Sequence, residues 1–208
     1  MRGLYGGSFN PPHVGHLAVA QACAEAGALR SVVWMPAATP PHKQGDPALA
    51  PARARLAMVA AAVEGNPLFS VSDSEIRRAD DQPSYTVHTV RALTAGGDAW
   101  ALIVGGDSLA GFAGWHRPRE ILDHVGLLVY RRPGADLGFV PDWVLDRTTF
   151  VDGPALDVSS TEVRAQIASG RSARYLVPDA VRGLIRARGL YGADGSGADG
   201  SGADESGG

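Results

Sequence analysis

Short unbroken apolar runs recur along the chain at Ser31-Val32-Val33-Trp34-Met35, Trp100-Ala101-Leu102-Ile103-Val104 and Gly126-Leu127-Leu128-Val129-Tyr130. Runs of this length, rich in branched and aromatic side chains, read as strands buried on both faces. Arg2-Gly3-Leu4-Tyr5 and Phe69-Ser70-Val71 read as shorter members of the same set. Between them lie stretches of good helix formers at Leu17 to Ala26, Ala52 to Glu64, Thr86 to Ala95 and Arg119 to Asp123. Alternating strand and helix predicts an α/β fold: a Rossmann-like, doubly wound, mostly parallel sheet with helices on both faces and right-handed crossovers. Ligands of such sheets bind at the carboxyl ends of the strands, so the segments after Tyr5, Met35 and Val104 are expected to meet.

Length and charge narrow the picture. At 208 residues the chain suits one α/β domain, expected over residues 1–191. Residues 192–208 repeat Gly-Ala-Asp-Gly-Ser, hold no apolar side chain larger than alanine, and read as a disordered tail. Asp194, Asp199, Asp204 and Glu205 lie in that tail, so the body moves from a net charge of −3 to +1. A near-neutral body argues against a nucleic-acid partner. The chain lacks an apolar run of membrane-spanning length, starts on a strand instead of a leader, and has one cysteine, Cys23. A cytoplasmic protein with no membrane partner is expected.

The strongest chemical signal is Gly6-Gly7-Ser8-Phe9-Asn10-Pro11-Pro12-His13-Val14-Gly15-His16. It joins a glycine turn at a strand end to the mouth of a helix, where backbone N–H groups and the helix dipole favour an anion. His13 and His16, at i and i+3, are expected on one face of the first turn. A zinc site is the competing reading, but neither HExxH nor a nearby Cys/His cluster is present, so no protein-held metal is expected. The GxGxxG fingerprint is missing from this turn, which argues against NAD-linked hydride transfer.

Other segments add candidates. Gly105-Gly106-Asp107-Ser108 follows a strand end, where Asp107 either accepts from ribose hydroxyls or caps a helix. Trp115 stands among small and polar residues with no apolar periodicity; it is expected either to stack on a flat cationic ring or to pack at a domain edge. Ser84-Tyr85-Thr86 opens a helix, and Ser84 or Thr86 can cap it. Val158-Ser159-Ser160-Thr161-Glu162-Val163-Arg164 places three hydroxyls at a helix start. Capping accounts for Ser159 but leaves Arg164 near the positive end of the helix dipole, which an anion would offset. Arginine outnumbers lysine 18 to 1, and the one lysine, Lys43, lies in the loop after the second strand.

In this order the segments resemble the nucleotidyltransferase α/β phosphodiesterase superfamily with its (T/H)xGH motif, and the long first string is similar to the bacterial nicotinate-nucleotide adenylyltransferase form. The family pattern GGTFDPxHxGH is met with Ser8 for Thr and Asn10 for Asp. PHK at 41–43, the segment from Asp73 to Thr86, GxDS with Trp115, and Ser159 to Arg164 against ISSTxxR complete the resemblance over residues 1–191. It implies an enzyme that joins ATP to nicotinate mononucleotide, giving deamido-NAD and pyrophosphate, with Mg²⁺ carried on ATP. It further implies that His13, His16 and Arg164 are catalytic. Gly6, Gly7, Ser8, Phe9, Gly105, Asp107, Ser159, Ser160 and Thr161 would join them in binding ATP. Lys43, Ser84, Tyr85, Thr86 and Trp115 would bind the mononucleotide. A phosphopantetheine or nicotinamide mononucleotide acceptor, a cytidylyltransferase and a non-catalytic nucleotide-binding module are the alternatives.

Overall fold

The computed structural model describes residues 1–78, 83–131, 139–154 and 156–193; of the tail expected over 192–208, residues 194–208 lie outside them. The strands are β1 (Arg2–Gly7), β2 (Val32–Pro36), β3 (Phe69–Val71), β4 (Trp100–Gly105), β5 (Gly126–Arg131) and β6 (Thr148–Asp152). The helices are α1 (Val14–Ala26), α2 (Ala52–Val63), α3 (Ser74–Arg77), α4 (Thr86–Thr94), α5 (Gly106–Ala110), α6 (Pro118–His124), α7 (Asp142–Leu145), α8 (Ser160–Ala168) and α9 (Asp179–Ala187). One 3₁₀ turn at Pro41–Lys43 follows β2, and another at Leu190–Gly192 follows α9. No helix among the described residues is long and apolar enough to cross a membrane.

The strands form one sheet in the order β3-β2-β1-β4-β5-β6, parallel throughout. Alternating side chains divide the core. Leu4, Val33, Leu102, Val104, Leu127 and Val129 face α4 and α6, where they meet Val87, Val90 and Ile121. Tyr5, Val32, Trp34, Ala101, Ile103 and Leu128 face α1 and α2, where they meet Ala20, Cys23 and Val59. Period-two alternation of wholly apolar strands thus covers both faces, as a doubly wound sheet requires. The helices α8 and α9 close a third cluster over Met58 of α2.

Five of these strands match the apolar runs. The sixth, β6, was not expected: it is an edge strand whose Thr149 and Asp152 are exposed and only Val151 is buried, so it lacks an apolar run. The first helix begins at Val14, before the expected Leu17, because His13 takes an extended conformation (φ −138°, ψ 171°) as its N-cap. His13 therefore precedes the first turn and His16 lies within it.

One polar residue interrupts the buried stripe of α2. Arg55 is fully buried in line with Met58, Val59 and Val63. Its Nε donates to the Ala50 carbonyl (2.9 Å) and Nη1 to the Ser8 carbonyl (2.8 Å). Nη2 donates to the carbonyls of Ala37 (2.7 Å) and Ala38 (3.1 Å). One guanidinium thus ties the loops after β1 and β2 to the approach to α2. Arg55→Met keeps the bulk and strands four carbonyls, so it is expected to cost on the order of 3 kcal/mol of stability. A urea titration checks this: the midpoint should fall at unchanged slope, and a loss below about 1 kcal/mol would contradict it.

Candidate active site

Strand pairing itself opens the site. β1 pairs with β4 only from Arg2↔Trp100 to Leu4↔Leu102, whereas it follows β2 as far as Gly7↔Pro36. Beyond Leu4 the two middle strands part. Tyr5, Gly6 and Gly7 on one side and Ile103, Val104 and Gly105 on the other then line a cleft of about 960 Å³. This is the carboxyl end of the sheet at the point where its winding reverses.

The turn after β1 is shaped around one aromatic ring. Phe9 adopts a left-handed backbone (φ 47°) and is buried, its ring 5.4 Å from Tyr5, 5.2 Å from Trp34 and 5.2 Å from His16. A Cβ on Gly7 would stand 3.1 Å from that ring, which accounts for glycine there. Gly15 has a similar reason: its Cβ would press on Val158 (3.0 Å) and the His13 ring (3.1 Å). The His13 ring consequently lies over that of His16 with centroids 3.7 Å apart. The His13 backbone N–H donates to His16 Nδ1 (3.2 Å). Burial first, then the neighbouring His13 and Lys43, push the His16 pKa well below the ordinary histidine value.

Carbonyls repel an anion, and three of the turn's carbonyls are engaged by side chains. Arg55 holds Ser8, Arg164 Nη1 donates to the Asn10 carbonyl (2.9 Å), and Ser160 Oγ to the Pro11 carbonyl (2.9 Å). Arg164, the fifth residue of α8, thereby finds a partner inside the protein, which by itself accounts for a cation near the start of that helix. That helix start is also filled. Ser159 Oγ accepts from the Glu162 N–H (3.2 Å), and Glu162 Oε2 accepts from the Ser159 N–H (2.9 Å). Ser159 and Ser160 line the cleft, while Thr161 and Arg164 line a separate recess of about 480 Å³ beside Pro47 to Pro51.

The remaining expected residues lie around the cleft. Asp107 is exposed in the first turn of α5, whose N-cap is Gly105, so it is not the cap. Lys43 ends the turn after β2 and is half-buried; burial and then Arg164 lower its pKa. Ser84 exchanges bonds with Thr39, its N–H donating to the Thr39 carbonyl (2.9 Å) and its Oγ accepting from the Thr39 N–H (3.2 Å). It braces the loop after β2 instead of capping α4, whose N-cap is Tyr85. Thr86 opens that helix into the cleft. Trp115 is half-buried, 5.1 Å from the Phe112 ring, and combines core packing with a cleft-lining face.

Several cleft residues carried no sequence signal strong enough to select them. His116 stacks on the expected Tyr85 with centroids 4.2 Å apart. Glu75 is buried at the cleft wall and accepts from Thr89 Oγ1 (2.5 Å). His42 and Arg117 also line it. Among the described residues no group of three His, Cys, Asp or Glu side chains is placed to hold a metal ion.

Comparison with known proteins gives the family of the chain. Residues 4–166 match the cytidylyltransferase-like family. A probable nicotinate-nucleotide adenylyltransferase of Salinibacter ruber is 48% identical over 191 residues, covering 91% of this chain and 96% of its own. One from Exiguobacterium sibiricum is 42% identical over 191 residues, covering 91% and 97%. In three dimensions, Plasmodium falciparum nicotinic acid mononucleotide adenylyltransferase, solved with NaAD, aligns with a TM-score of 0.75 at 15% identity over 93% of this chain and 98% of that one. The last likeness concerns the fold alone. The chain belongs to the cytidylyltransferase-like nucleotidyltransferases, within the family of nicotinate-nucleotide adenylyltransferases.

Proposed function

We propose that this chain transfers the adenylyl group of ATP to nicotinate mononucleotide, forming nicotinate adenine dinucleotide and pyrophosphate in NAD biosynthesis. One observation carries this reading. The histidine turn and the Trp115 wall open into the same cleft, whose volume of about 960 Å³ lies at the upper end for small-molecule sites. Relatives named for this activity align over nearly the whole chain.

A 5′-phosphate oxygen of the mononucleotide attacks the α-phosphorus of ATP in line. The bond to the β-phosphate oxygen breaks as the new one forms, and pyrophosphate leaves with that electron pair. Mg²⁺ enters on the ATP phosphates as part of the substrate. The protein's work is positioning and stabilising charge. His16 Nδ1 is occupied as an acceptor, so its ring proton sits on Nε2, and its lowered pKa keeps the ring neutral. His16 therefore acts as an Nε2–H donor to oxygens that gain charge, with His13 beside it. Lys43 adds a cation at the cleft edge. Arg164 contributes from behind the loop, through the carbonyl that it holds. Gly6, Gly7, Ser8, Phe9, Gly105, Ser159 and Ser160 shape the ATP side, and Thr161 supports it from the neighbouring recess. Asp107 accepts from ribose hydroxyls. Ser84, Tyr85, Thr86 and Trp115 receive the pyridine nucleotide.

Three measurements test this reading. With ATP and Mg²⁺, pyrophosphate release is expected with nicotinate mononucleotide and far less with nicotinamide mononucleotide or phosphopantetheine; strong release with phosphopantetheine alone would overturn the assignment. His16→Ala is expected to lower turnover roughly 10²–10³-fold, the scale for one transition-state donor, and near-wild-type turnover in a folded variant would remove His16 from this role. Protonation gives the third. The native His16 pKa lies below the free value of 6.5, so the unfolded chain takes up the proton first. This contribution to stability is full above that pH and declines as pH falls below it. The unfolding temperature should drop between about pH 6.5 and pH 5 more steeply in the wild type than in His16→Gln. Equal slopes would show that His16 does not titrate in this way.

A further inference from the structure

Asn10 lies at the centre of the turn before the histidines and is almost wholly buried. Its polar atoms are engaged from three directions. Nδ2 donates to the Ala48 carbonyl (2.8 Å), the Ala50 N–H donates to Oδ1 (3.0 Å), and Arg164 holds its backbone carbonyl. The second lone pair of Oδ1 accepts from the hydroxyl of Tyr191 (2.7 Å), 181 positions away in sequence. The amide orientation follows from this network, because only Nδ2 can donate to a carbonyl and only Oδ1 can accept from an N–H.

The far end of the chain is bent to make that contact. Gly189 (φ 57°), Tyr191 (φ 61°) and Gly192 (φ 78°) all adopt left-handed backbone conformations. For tyrosine this conformation is unfavourable, and it persists only where surroundings impose it. Leu190 and Tyr191 pack on the cluster formed by α8 and α9, which brings the phenol beside the charged groups of Arg164 and Arg55. Burial raises the phenol pKa, so it keeps its proton and serves as the donor. Asparagine at this position suits the arrangement, since a carboxylate offers no N–H to the Ala48 carbonyl.

We infer that Tyr191 is a positioning residue for adenylyl transfer: by donating to Asn10 it fixes the turn that aims His13 and His16 into the cleft. The inference rests on the proposed reaction. It makes the segment after α9 part of the active-site scaffold, although Tyr191 itself lines the neighbouring recess and not the cleft. Removing the hydroxyl leaves Asn10 Oδ1 with one donor and frees the turn to shift. Such a shift weakens contacts made at the reacting phosphates while leaving the pyridine wall untouched.

The test uses the full chain. Tyr191→Phe is expected to lower kcat about five- to tenfold with KM for nicotinate mononucleotide changed less than about twofold. Its unfolding temperature should fall by about 2–4 °C. In the same variant the ¹⁵N resonances of the His13 and His16 rings should move. Leu184→Ala, which thins the same cluster without touching the hydroxyl, controls for general loosening and should retain kcat. The inference fails if Tyr191→Phe keeps its kcat, if Leu184→Ala loses as much, or if the loss lies in KM. Should the wild type release no pyrophosphate, the proposed reaction fails. The ring resonances then still decide whether Tyr191 holds the turn.

Discussion

Everything in the site depends on where two parallel strands stop pairing. Between Leu4 and Leu102 the ladder from β1 to β4 ends, while β1 continues against β2 for three more residues. The crossovers on the two sides of this seam pack against opposite faces of the sheet, so no connection among the described residues covers it. The edge of β1 that is committed to β4 lower in the sheet faces open space at Gly6 and Gly7. A buried ladder would leave no room for a ligand at this place. Because both faces of the sheet are packed, the seam is where substrates can reach its middle.

An opening of this kind exposes backbone, and backbone carries carbonyls that repel phosphates. Side-chain donors solve the problem from behind. Arg55, Arg164 and Ser160 hold the carbonyls of Ser8, Asn10 and Pro11, and Arg55 also holds those of Ala37 and Ala38 on the opposite loop. A planar fork of five donors meets several carbonyls at once, which an ammonium on a flexible stem does less well. The arginine bias of the chain therefore includes a structural use, separate from any direct contact with substrate. The one lysine lies on the cleft side instead, its pKa lowered by burial and by Arg164.

How much of this could be read in the chain depends on the range of each interaction. Strands buried on both faces are written as apolar runs and were legible, as was the short edge strand β3; β6, half-exposed at the other edge, was not. The glycine turn and its histidines were legible because their chemistry is local. Even so, their geometry differed, since His13 caps α1 from outside while His16 sits within its first turn. Arg55 left a trace, a charge standing three and four positions before Met58 and Val59 on an apolar stripe, which signals a buried cation with partners. Arg164 left an incomplete one. Its place near a positive helix end suggested an anion, and the contact that holds its Nη1 is a carbonyl from residue 10. Contacts across most of the chain, such as that of Tyr191 with Asn10, leave no local pattern at all.

The electrostatics of the cleft follow from the same division. A cationic histidine pair with centroids 3.7 Å apart would add its own repulsion to that of Lys43 nearby. Burial removes the solvation that would make such charge tolerable, so His16 stays neutral, and on the proposed reaction it acts through an N–H. A neutral donor attracts an anionic ground state less than a full charge would, and its bond strengthens as charge accumulates on the acceptor oxygen. On the proposed reaction this difference matters, because only an interaction that strengthens towards the transition state accelerates the chemical step. The permanent charges of Arg55 and Arg164 stand behind the loop, where they stabilise the turn at every stage. On the proposed reaction, the neutral His16 donor in front and the carbonyl-held arginines behind separate the task of lowering the barrier from that of holding the scaffold.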